Sequence, residues 1–148
     1  MKDCIFCKIV QGKAEAAKIW EDDEFVAFLD LYPCTKGMAL VVPKKHYHSY
    51  AFDMPDDVYA RLMLATKRVA LLLDRKLPVK RSAMVMEGMA IDHVHINVYP
   101  MHGLSVKFKQ VLADERIFFE KYEGYISTQL GLKADMKELK RLAAKIAG

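Results

Sequence analysis

The chain has 148 residues, 53% of them hydrophobic and 28% charged, with a net charge of +4. That length fits one domain with a real core, and 3 cysteines, an odd number, argue against a disulfide framework. The mild basic excess suits an anionic small ligand at least as well as nucleic acid. With no basic-then-apolar leader and no apolar run near the ~18 residues of a membrane span, a cytoplasmic protein is expected.

In chain order, the first marked feature is "CIFCKIVQGK", in which Cys4 and Cys7 form a CxxC. Strand-like runs follow at "AKIWE" and "EFVAFLD", separated by the acidic turn "DDE". "LYPCTKG" supplies Pro and Gly punctuation before "MALVVP", a short apolar strand ended by Pro43. "DMPDDVYARLMLATKRVALLLDRK" predicts the long helix: Asp53 and Asp56 favour its N-terminus and Pro55 fits the first turn. Val58, Leu62, Ala65, Val69 and Leu72 recur at helical spacing. "RSAMVME" predicts a strand, with Met84, Met86 and Met89 read as core filling, and Gly88 turns the chain into "DHVHINVYPMH", residues 92–102.

As a strand, that stretch places His93, His95 and Asn97 on one face and turns Val94, Ile96 and Val98 into a core. Beyond Gly103, "VKFKQVLADERIFFEKYEGYISTQLG" mixes aromatics with charge. "ADMKELKRLAAKIA" predicts a terminal amphipathic helix with Met136, Leu139, Leu142, Ala143 and Ile146 on one side. The expected architecture is α+β: antiparallel strands with one long helix over residues 1–102, then a helical extension over 103–148.

Three groups of residues could carry chemistry. Imidazole titrates near neutrality and its neutral form is nucleophilic, so a histidine on the strand could attack phosphorus; a polar face turned to water is the plain alternative. Cys4 and Cys7 have zinc-knuckle spacing, with His46 or His48 and His93 or His95 as further ligands. A Cys4, Cys7, His46, His93 set would tie the N-terminus to the sheet and be structural, since four protein ligands leave no open position. A dithiol redox pair and two buried thiols without metal are its rivals. Asp30 could accept hydrogen bonds from ligand hydroxyls, and Lys44 and Lys45 could meet phosphate. No P-loop, Gly-rich dinucleotide fingerprint or G-x-S-x-G elbow is present.

"CIFCKIV", "WEDDEFVAFLDLYP", "KGMALVVPKKHY" and "HVHINVYP", in that order, resemble the histidine triad (HIT) family of nucleotide hydrolases and transferases. The resemblance spans roughly residues 3–102. It implies an antiparallel sheet with a long helix, a homodimer, a purine nucleotide ligand, and neither a membrane nor a nucleic-acid partner. It makes His95 the nucleophile toward an α-phosphorus, forming a nucleotidyl-histidine intermediate. His93 becomes a structural zinc ligand together with Cys4, Cys7 and His46. Asp30 matches the residue that holds the ribose hydroxyls, and Ile5, Phe6, Ile9, Phe28 and Leu31 match apolar positions around the base.

Three departures stand out. Asn97 occupies the place of the third histidine, where the transferase branches of the superfamily carry glutamine. A neutral amide can hydrogen-bond a phosphate oxygen or leaving group but cannot give up a charged proton. Met86 replaces an asparagine, and Met89 and Ala90 replace a Gln-Ser pair, so three usual polar contacts to the nucleotide are missing. "YEGYISTQLG" in the extension could fold over the site to replace them, or pack elsewhere. Two further classes therefore stay open: a nucleotide-binding protein without catalysis, and an interaction module built on the basic C-terminal helix.

Overall fold

The computed structural model of the chain describes residues 3–147. Two compact units divide between Phe108 and Lys109. In the first, a short helix α1 (Ile5–Val10) precedes strands β1 (Lys18–Glu21), β2 (Phe25–Leu29) and β3 (Ala39–Pro43). The long helix α2 (Asp56–Lys76) then leads to β4 (Val79–Val85) and β5 (Ile96–His102). The five strands form one antiparallel sheet in the order β1-β2-β3-β5-β4, as the α+β expectation requires. No helix among the described residues is long and apolar enough to cross a membrane.

Alternation along the strands gives the sheet two buried faces. Phe25, Ala27, Ala39, Val41, Ile96 and Val98 pack with Val94 against α2, whose Val58, Leu62, Ala65, Val69 and Leu73 point down. The helix periodicity holds, except that Leu73 rather than Leu72 is the last buried position, one i+4 step beyond Val69. The other face carries Val26, Phe28, Leu40 and Val42 and is capped by Phe6 and Ile9 of α1. Because both faces are covered, β2 and β3 read as nearly continuous apolar runs.

One element had no expectation attached, and two expectations need correction. The helix α1 lies within the opening CxxC stretch and, at six residues, is too short for helical periodicity to show. The strand expected from residue 92 begins only at Ile96: His93 and His95 precede it, although their alternation with Val94 continues that of the strand. Met84 and Met89 are 52% and 65% exposed rather than core, because β4 is an edge strand and Met89 lies in the loop beyond it. Only Met86 packs partly against the core.

The second unit has turns and irregular structure up to α3 (Met136–Ala147). Ile117 N–H donates to the Leu130 carbonyl at 3.1 Å, and the Phe119 and Tyr125 rings meet edge to face. Asp135 Oδ1 accepts from the backbone N–H groups of Lys137 and Glu138, which caps α3. Leu139, Leu142 and Ile146 are exposed along it.

Candidate functional site

A six-residue helix is too short to be stable alone, so α1 depends on what it packs against. Cys4 at its N-cap and Cys7 one turn on face the same way, toward two histidines. Cys4 Sγ lies 3.4 Å from His93 Nδ1, and Cys7 Sγ lies 3.4 Å from His46 Nδ1 and 3.6 Å from His93 Nδ1. The four ligand atoms all fall within 4.8 Å of one another. The His46 and His93 rings meet edge to face at 4.8 Å.

His93 is fully buried, and its Nε2–H donates to the Pro43 carbonyl at 2.9 Å. That bond fixes the tautomer, so the Nδ1 lone pair faces the two sulfurs. Burial pulls the His93 pKa below its ordinary value, against the Pro43 carbonyl and with help from His46 and His95, which keeps the ring neutral as a ligand must be. Burial, then the adjacent Cys4 thiol, push the Cys7 thiol upward, and a bound cation inverts that balance. Two thiols and two imidazoles, one already oriented through its far nitrogen, are a donor set suited to tetrahedral zinc. The geometry also separates the alternative ligands: His48 turns outward to Asp92, and His95 Nδ1 bonds to backbone instead.

The loop bearing His46 is clamped to the segment bearing His93. Asp92 accepts from His48 Nδ1 at 2.8 Å and from the Ser49 N–H at 2.9 Å, while the Val94 N–H donates to the Tyr47 carbonyl at 3.0 Å. Gly88 completes the contact: its φ is +75°, and a Cβ there would lie 2.5 Å from the Ser49 carbonyl oxygen.

His95 is 5% exposed, and its Nδ1–H donates to the His93 carbonyl at 2.7 Å. Its Nε2 therefore carries the free lone pair, the arrangement a nucleophile or base needs. Phe6 presses against both histidines edge to face, 5.4 Å from His95 and 5.7 Å from His93, and meets Phe28 at 5.6 Å. The site thus lies on the α1 side of the sheet. Strand register builds its floor as rows across the strands, and one row runs Phe28, Leu40, Asn97, Val85. Asp30, beyond the end of β2, donates its N–H to the Met38 carbonyl while its Oδ1 accepts from the Tyr32 N–H at 2.7 Å.

The expected residues are thus distributed unevenly. Phe6, Ile9 and Phe28 are buried together beside the histidines; Asn97 shares the row of Phe28; Asp30 follows the end of β2. Ile5 and Leu31 are 42% and 81% exposed, and Lys44 is engaged with Glu21 at 2.7 Å. Sequence reasoning missed the Asp92–His48–Ser49 clamp, since its partners are more than forty residues apart and carry no motif.

Fold and site together define an α+β domain in which a thiol–imidazole cluster braces one histidine with a free Nε2. Residues 11–104 match the HIT domain family. A HIT-like protein of Methanocaldococcus jannaschii is 38% identical over 116 residues, covering 73% of this chain and 88% of its own. A Streptococcus mutans structure superposes with TM-score 0.72 and 28% identity, covering 99% of this chain and 85% of that one. A zinc-bound histidine triad family protein of Mycobacterium smegmatis gives TM-score 0.64 and 29% identity, over 74% and 84% of the two chains. This chain belongs to the HIT family, whose members are generally nucleotide-binding hydrolases or transferases.

The clamp has a pH signature. The Ser49 N–H first, and then His48, lower the Asp92 pKa to about 2, below its ordinary value near 3.8. A depressed folded-state pKa adds stability that is present above the unfolded value and lost as pH falls through the folded one. Asp92→Asn is expected to be less stable than wild type at neutral pH. That difference should shrink between about pH 4 and pH 2, as followed by urea midpoints at each pH.

Proposed function

We propose that this protein is a nucleotide hydrolase or nucleotidyltransferase that works at the α-phosphate of purine nucleoside phosphoramidates or dinucleoside polyphosphates. The observation that carries the reading is the His95 ring, buried, held by its Nδ1–H on the His93 carbonyl, and left with Nε2 as a neutral nucleophile. Nε2 attacks phosphorus, the bond to the leaving group breaks, and the leaving group departs with its electron pair. Water or another acceptor then attacks the nucleotidyl-His95 phosphorus and restores the ring. Asn97 supports the phosphoryl oxygens through its amide. Because it holds no acidic proton, a basic leaving group takes its proton from solvent or from the substrate.

In the same reading Phe6, Ile9 and Phe28, with Ile5 and Leu31, form the apolar wall around the base, and the second carboxylate oxygen of Asp30 receives the ribose hydroxyls. Apolar contact and stacking tolerate either purine. The second reading, a nucleotide-binding protein without catalysis, has its own support: Met86, Met89 and Ala90 offer a phosphate no polar side chain. Mass spectrometry of the protein mixed with an adenosine phosphoramidate separates the two. A nucleotidyl adduct on His95 is expected, and His95→Ala should cut turnover by about three orders of magnitude or more while the fold persists. AMP binding with no adduct and no turnover would leave only the binding function.

Cys4, Cys7, His46 and His93 would hold zinc as a structural ion, tying α1 to the sheet and so fixing Phe6 over His95. Metal analysis of the purified protein is expected to find close to one equivalent of zinc. Cys4→Ser should lose most of it and lower Tm by roughly 10 °C, a loss of several kcal/mol for a chain of this size. A variant with no zinc and an unchanged Tm would remove the structural role.

A homodimer accounts for the sheet edge. On β4, Met84 is exposed beside Leu64 of α2, and Met63, Ala70 and Ala83 line the groove between them. An apolar groove beside an edge strand can be covered by a second copy, and a two-fold contact uses the same patch on both subunits. Sedimentation velocity is expected to show a dimer for the wild type and mostly monomer for Met84→Lys combined with Leu64→Lys.

A further inference from the structure

Tyr99 was not singled out by sequence, yet the register puts it on the same face as His95 and Asn97. Ala39 pairs with Val98 and Tyr99 with Ala83, so one residue further along β3 Met38 comes opposite Tyr99. Asp30, whose N–H meets the Met38 carbonyl, ends the row: Asp30, Met38, Tyr99, Ala83. This row adjoins that of Phe28, Leu40, Asn97 and Val85. Along β5, Tyr99 stands about 6.6 Å beyond Asn97, on the side away from His95.

The tautomer of His95 gives that position meaning. Its Nδ1–H turns back to the His93 carbonyl, and the two nitrogens of an imidazole point away from each other, so Nε2 faces from His93 toward Asn97. Displacement at phosphorus is in line, which sends the leaving group onward along the same axis. The Tyr99 ring is half-buried and Ala83 beside it is small. Among the described residues its hydroxyl has no hydrogen-bond partner, and it is free to bond a ligand. Burial, and then the charges of Cys34, Glu87 and Asp30, raise its pKa, so it remains a neutral donor.

We propose that Tyr99 is a specificity-determining residue: its hydroxyl donates a hydrogen bond to an uncharged acceptor on the group displaced from the nucleotide α-phosphorus. This rests on the nucleotidyl-His95 reading. A carboxylate or further phosphate at the same place meets the carboxylate of Asp30 and is disfavoured, whereas a carbonyl oxygen is not. Tyr99 takes no covalent part. Nε2–P forms, P–N breaks, the amine leaves with a proton from solvent, and the phenol only selects what sits beyond.

Adenosine 5′-phosphoramidates of glycinamide, propylamine and glycine probe the three cases with the full chain. Relative to wild type, Tyr99→Phe is expected to lower the glycinamide-to-propylamine ratio of kcat/KM about fivefold, the size of one neutral hydrogen bond. Thermal melting confirms that the variant is folded. An unchanged ratio, in a wild type that forms the His95 adduct, overturns the role of Tyr99 alone. If the wild type turns over the glycine substrate as fast as the glycinamide one, the choice of an uncharged acceptor is wrong. If it forms no adduct with any of the three, the His95 reading fails, and this proposal with it.

Discussion

The hydrogen bond from His93 Nε2 to the Pro43 carbonyl is the contact on which the site depends. Pro43 ends β3 and lacks any N–H of its own, but its carbonyl is available to a buried ring. Once that ring is fixed, its Nδ1 faces Cys4 and Cys7, and its backbone carbonyl receives the His95 Nδ1–H. One residue therefore orients both the thiol cluster and its chemical neighbour. The cost of burying a polar imidazole is offset because both of its nitrogens, and the carbonyl behind it, have partners.

Around this centre the sheet acts as a ruler. Its α2 face is committed to packing, with Leu62, Val69 and Ile96 fully buried. Its other face is shared between the apolar wall under α1 and the polar sequence His95, Asn97, Tyr99. Rigid strands hold such side chains at fixed intervals, as the proposed in-line displacement requires. Asn97 is consistent with that requirement, since an amide positions oxygens without supplying a proton.

Much of the fold was legible because its signals are local. The long helix showed through the recurrence of Val58, Leu62, Ala65 and Val69, and β2 and β3 through short apolar runs bounded by turn residues. The α1 helix was not, since six residues give too few turns for periodicity and its stability comes from Phe6 and Ile9 packing on the sheet. Met84 was misread for a similar reason: being on an edge strand depends on the strand order, not on neighbouring residues. At the site, the CxxC and H-x-H patterns named Cys4, Cys7, His93 and His95, but spacing could not choose between His46 and His48.

The sequence by itself determined the kind of chemistry: which thiols and imidazoles exist, that Asn97 replaces a histidine, and that alternation puts His93, His95 and Asn97 on one side. Only the tertiary structure decided which partners each group meets. It turned His48 out to Asp92, brought His46 to Cys7, and gave His93 and His95 opposite assignments through two different backbone carbonyls. It also brought Asp30 and Tyr99 into one row across three strands. Hydrogen-bond direction and strand register are long-range properties, and no single stretch of the chain contains them.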